Sequence, residues 1–162
     1  MAEEAVRKLE QAGCEVVQGF IEHDVLDAGG LAEFDAIIVR SATKITEQML
    51  IKSQPRLKVV ARAGVGVDNI DIPAASTLGL PVVNAPRAST QSVVELTIGH
   101  LLGSLRFIPR ADRSLRLGER AKKELKGTEL FGKRLGLIGF GRIAQGVAKV
   151  AQAFGMEVHS YD

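Results

Sequence analysis

Short runs rich in branched aliphatic residues alternate with helix-like stretches along this chain, and that alternation limits its fold more than any other feature. The runs CEVVQGF (14–20), AIIVR (36–40), LKVVARA (57–63), LPVVNA (80–85), RLGLIGF (134–140) and MEVHSYD (156–162) are bounded by polar or turn residues. Between them lie EEAVRKLEQAG (3–13), TEQMLIKSQ (46–54), DIPAASTLG (71–79) and RIAQGVAKVAQAFG (142–155), which read as helices. Strands that are apolar on both faces and separated by helices specify a parallel sheet with helices packed on it. A longer helix is expected over 92–117, with Val94, Leu101, Leu102 and Leu105 on its apolar face and Ser89 or Thr90 as its cap. Pro109 should end or kink it. The charged ERAKKELKG (119–127) reads as a solvated helix face.

The order of these segments gives a first α/β unit over 1–90, then a connecting helix and the opening βαβ of a second unit over 91–162. Hydrophobic residues at 46% with 25% charged residues fit a globular chain, and aromatics at 4% leave the interior to aliphatic residues and alanine. A net charge of +2 is too small for a nucleic-acid footprint, so no nucleic-acid partner is expected. Cys14 is the one cysteine; it has no disulfide partner and no metal-ligand spacing, and is expected as a small half-buried residue. No signal peptide is read, and no apolar run approaches the ~18 residues of a membrane span, so the expected setting is cytoplasmic with no membrane partner.

The turn in GFGRIA (139–144) follows an expected strand and opens an expected helix, the context a dinucleotide fingerprint requires. Gly139 permits the tight turn, Gly141 allows the backbone to approach a pyrophosphate, and Ala144 can pack helix against strand. The free N–H groups and partial positive charge of a helix start suit phosphates. Asp162 ends the next strand, eighteen positions after Ala144, where a carboxylate accepts the adenine ribose hydroxyls. A carboxylate there repels a 2′-phosphate, which favours NAD over NADP.

Together with IIVRSATKIT (37–46), VVARAGVGVDNIDIPAASTLGLPVVNAP (59–86), SVVELTIGHLLGSLRFIP (92–109), KGTELFGKRLGLIGFGRIA (126–144) and GMEVHSYD (155–162), the sequence resembles the D-isomer-specific 2-hydroxyacid dehydrogenases. The resemblance implies a flavodoxin-like parallel-sheet substrate domain followed by the start of a Rossmann NAD-binding domain. It is nearest to members that oxidise 3-phospho-D-glycerate to 3-phosphooxypyruvate, the first step of serine biosynthesis. By position it directs the Arg40 guanidinium toward a bound small-molecule 2-hydroxy acid, and makes the backbone at Val65 and Gly66 the loop that holds the acid's carboxylate. Val65 would also border the nicotinamide, and Arg142 and Ile143 would lie along the pyrophosphate beside Gly139 and Gly141. Asp68 and Asn69 are read as fixing the loop, and His23, His100 and His159 as packing or surface residues. No metal is expected.

In the family a His acts as acid/base, a Glu orients it, and an Arg binds and polarises the substrate; the resemblance places all three beyond residue 162. A strand that precedes the first helix in relatives also has no counterpart here, so the chain alone is expected to be inactive. The aromatic residue that phosphoglycerate-type members carry before a basic cluster is missing from GERAKKELKG, although Arg120, Lys122 and Lys123 remain. Two alternatives stay open: another D-2-hydroxy acid dehydrogenase of glyoxylate or lactate type, or a non-catalytic, NAD-binding corepressor-like interaction protein. A homodimer or homotetramer is expected, with the 92–117 helix as a possible seam.

Overall fold

Side-chain caps start two of the helices of the first half. In the computed structural model, which describes residues 2–162, Thr46 accepts from the Met49 N–H to open α3 (Glu47–Lys52). Asp71 accepts from the Ala74 N–H at 3.0 Å to open α4 (Ile72–Thr77), and Pro73 occupies its first turn, where no N–H is needed. Two further helices, α1 (Glu3–Gln11) and α2 (His23–Asp27), precede them.

The chain divides into two compact units, Met1–Ala85 and Pro86–Asp162. The first holds a parallel sheet of β1 (Ala36–Val39), β2 (Val59–Arg62) and β3 (Val82–Asn84) in the order β1-β2-β3. Its core is aliphatic: Leu26, Leu31, Ile45, Met49, Leu50, Leu57 and Val60 are each at most 2% exposed. At the C-terminal end of the sheet an isolated parallel bridge joins Ile45 to Ile70, tying the loop after β1 to the loop after β2.

The second unit holds the helices α5 (Thr90–Leu105) and α6 (Ile108–Arg116), then β4 (Arg134–Ile138), α7 (Arg142–Ala153) and β5 (Glu157–Tyr161). β4 and β5 pair in parallel, with Arg134 beside Glu157 and Ile138 beside Tyr161. Val94 and Ile98 of α5 pack on Val147 of α7, and Leu130, Ala151 and Met156 form a second small cluster. The α/β class with parallel strands thus matches the sequence expectation.

Four local expectations are corrected. Residues 14–20 form no strand, and Val17 and Phe20 are largely exposed; no neighbouring strand pairs with this segment among the described residues. The long helix over 92–117 is two helices, broken at Phe107, whose φ of +54° is left-handed; Pro109 sits in the first turn of α6 and does not end α5. The segment 119–127 is irregular with one turn, because no apolar stripe anchors it as a helix. Cys14 is exposed, since it follows α1 in that same unpaired stretch.

Candidate functional site

The loop after β2 is built by hydrogen bonds rather than by apolar packing. Asn69 is its centre: Nδ2 donates to the carbonyls of Arg40 (3.0 Å) and Thr43 (2.6 Å), and Oδ1 accepts from Nε of Arg62 (3.1 Å). The orientation of the amide follows from its partners, two acceptors on one side and a pure donor on the other. Asn84, at the end of β3, donates to the Val65 carbonyl at 2.7 Å, and the Ala85 N–H donates to the carbonyl of Gly64. The Arg62 guanidinium lies directly over Gly64, so a side chain there would have to displace it.

Three residues expected at the acid site are thereby brought into one neighbourhood. Arg40 follows β1 directly and is exposed, and its carbonyl is held by Asn69. Val65 and Gly66 are exposed in the loop, and among the described residues their N–H groups have no partner within the chain. An exposed guanidinium and two free N–H groups at the C-terminal end of a parallel sheet suit a carboxylate. The parts missed by sequence reasoning are Arg62 and Asn84. Their signal was an Arg and an Asn closing successive strands of a parallel sheet.

In the second unit the glycine turn links β4 directly to α7. Gly139 has φ +85°, a left-handed conformation that favours glycine, and its N–H donates to the Tyr161 carbonyl at 2.7 Å. That bond sets the end of β5 beside the turn, so Asp162 is the next residue beyond it and is exposed. Gly141 stands at the N-cap of α7 and offers no capping side chain. The N–H groups of Arg142 and Ile143 begin the helix with no acceptor in the chain, among the described residues, and both side chains are exposed. No atom lies within 4 Å of where a Cβ would stand on either Gly139 or Gly141, which leaves room for a ligand's phosphates. Gly139, Gly141, Arg142, Ile143 and Asp162 therefore share one end of β4, α7 and β5. Val65, also expected at the cofactor, belongs to the first unit.

The three histidines have local surroundings. His23 Nδ1 is 3.1 Å from Asp27 Oδ2 on the same helix, His159 Nε2 is 2.9 Å from Glu157 Oε1 on the same strand, and His100 is exposed on α5. No helix is long and apolar enough to cross a membrane, and no cluster of metal-ligating residues occurs among the described residues.

Comparison with known proteins gives this geometry a context. Residues 1–159 match the family described as D-isomer specific 2-hydroxyacid dehydrogenase, catalytic domain. The chain is 49% identical over 99% of its length to the D-3-phosphoglycerate dehydrogenase of Methanocaldococcus jannaschii, of which it spans 30%. It is 52% identical over 82% of its length to a hydroxypyruvate reductase of Thermotoga maritima, of which it spans 43%. Among solved structures, an acyclic imino acid reductase in complex with NADPH and D-Arg superposes with a TM-score of 0.86 at 30% identity, over all of this chain and 52% of that one. The chain thus spans less than half the length of either curated relative.

Proposed function

The chain belongs to the D-isomer-specific 2-hydroxyacid dehydrogenases, and from that premise we propose that it supplies the acid-binding loop and the first part of the NAD site of a 3-phosphoglycerate dehydrogenase. The full-length protein would oxidise 3-phospho-D-glycerate to 3-phosphooxypyruvate, opening serine biosynthesis. The observation that carries the cofactor assignment is the Gly139-to-Tyr161 hydrogen bond, which sets Asp162 at the mouth of the glycine turn.

In this reading the α7 start and the Gly141 backbone hold the pyrophosphate, and Asp162 accepts from the adenine ribose hydroxyls. A nicotinamide held there would supply the acceptor for the hydride from C2 of the acid. Arg40 and the N–H groups of Val65 and Gly66 hold the acid's carboxylate, which fixes the direction in which C2 presents its hydrogen. The hydroxyl proton requires a general base within hydrogen-bond reach. His23, the one histidine of the first unit, pairs with Asp27 on its own helix, and this chain alone is read as binding without turnover.

Titration of the 162-residue chain with NADH, with NADPH as the control, tests the reading. Saturable NADH binding with NADPH at least about tenfold weaker is expected, a difference of ~1.4 kcal/mol. Equal affinity for both would remove Asp162 from its role. A second substrate reading, a smaller 2-hydroxy acid of the glyoxylate or lactate type, is supported by the absence from GERAKKELKG of the aromatic residue that phosphoglycerate-type members carry before their basic cluster. Substrate profiling of the full-length protein separates the two: indifference to the 3-phosphate supports the smaller acid.

A further inference from the structure

Asn69 is read from sequence as a residue that steadies its own loop, yet its bonds do more. Two of its three partners, the carbonyls of Arg40 and Thr43, lie 29 and 26 positions upstream in the loop after β1. The third, Arg62 Nε, belongs to the last residue of β2. One amide therefore joins two loops that the sequence keeps apart, and it joins them through the backbone of Arg40 itself. The bridge between Ile45 and Ile70 closes the same seam one residue further along. Asn84 holds the Val65 carbonyl from the other side, so the peptide that presents the Gly66 N–H is also fixed.

We propose that Asn69 is the positioning residue of the acid site: its amide locks the segment carrying Arg40 to the turn carrying the free Val65 and Gly66 N–H groups. This rests on the reading of that loop as the carboxylate holder. Guanidinium and N–H donors then keep one spacing before any acid arrives, and binding does not have to order them. The residue itself touches no ligand. Its amide is held by protein partners, with both N–H groups donating and Oδ1 accepting from Arg62.

Asn69→Asp separates positioning from folding. An aspartate still accepts from Arg62, but it turns an oxygen toward the Arg40 and Thr43 carbonyls and breaks the tie between the loops. The 162-residue chain, labelled with nitrogen-15, is titrated with 3-phospho-D-glycerate while the Val65 and Gly66 amide signals are followed. Leu80→Val, in the core at the opposite end of the sheet, serves as a variant destabilised without reaching the site. The expected result is an affinity loss of about tenfold or more in Asn69→Asp, with Leu80→Val unchanged within about twofold. Equal affinity in Asn69→Asp and the parent overturns the proposal and leaves the acid site standing. Absence of any shift at Val65 and Gly66 in the parent overturns the acid site itself, and the proposal with it. Should Asn69→Asp not fold, Asn69→Ala removes the same Nδ2 donors to the Arg40 and Thr43 carbonyls without adding a charge, and it carries the same expectation and the same refutation.

Discussion

Gly139 and Gly141 look equivalent in sequence, and the backbone separates them. Gly139 sits at φ +85°, so an alanine there costs about 1–2 kcal/mol even though nothing lies near its Cβ. Gly141 has φ −68° and ψ −174°, an extended conformation open to any residue, and its surroundings are equally empty. Gly141→Ala should therefore keep or slightly raise stability, by up to ~1 kcal/mol through the unfolded chain, while weakening NADH. Thermal melts and NADH titrations of both variants test this pair. Gly139→Ala should lose on both measures, and undiminished NADH binding by Gly141→Ala would show that no phosphate approaches that backbone. Arg40 gives a similar contrast, because Asn69 uses its carbonyl and, among the described residues, its side chain has no partner in the chain. Arg40→Ala should leave stability within ~0.5 kcal/mol and abolish acid binding, read by the Val65 and Gly66 amides.

At the scale of elements, α7 meets α5 closely through Gly146. A Cβ there would stand 2.6 Å from Cγ2 of Val94, a buried β-branched side chain on α5 with little freedom to move aside. Alanine is a better helix former by ~1 kcal/mol, yet overpacking costs about 1–3 kcal/mol, and the clash wins. Gly146→Ala should lower the melting temperature, and Gly146→Ala with Val94→Ala should recover part of the loss; a rise in the single variant would mean that the helices can part freely. The contact also marks where sequence reading stops. Strands β1 to β5 were legible because each has a neighbour to pair with, whereas 14–20 carries the same branched residues without one. The break at Phe107 was hidden because apolar spacing runs on through Leu105 and Ile108 across it, and Pro109 marks the region but not which helix it belongs to. The glycine turn was readable since backbone demands act locally. Asn69 and Asn84 act on carbonyls 19 to 29 positions away, a distance that no local pattern encodes.

The whole molecule follows from a composition with 4% aromatics and no tryptophan, which leaves burial to small aliphatic contacts. Each buried cluster draws its residues from one unit: Leu26 to Leu80 in the first, Val94 to Met156 in the second. In the first, Leu50 on α3 is fully buried in a cluster with Met49, Leu57 and Val60 that includes no aromatic residue. Leu50→Ala should therefore cost about 2–5 kcal/mol, a large part of the 5–15 kcal/mol typical of a folded domain. Amide hydrogen exchange locates the loss. Protection in β1, β2 and β3 is expected to fall by several orders of magnitude, while β4, β5 and α7, whose cores contain no residue of that cluster, serve as the internal reference. Equal loss across both sets would mean that the two cores melt as one cooperative body. Loss confined to the first would mean that the acid loop and the glycine turn stand on separately stabilised scaffolds, so a variant's effect on one ligand can be read without correcting for the other.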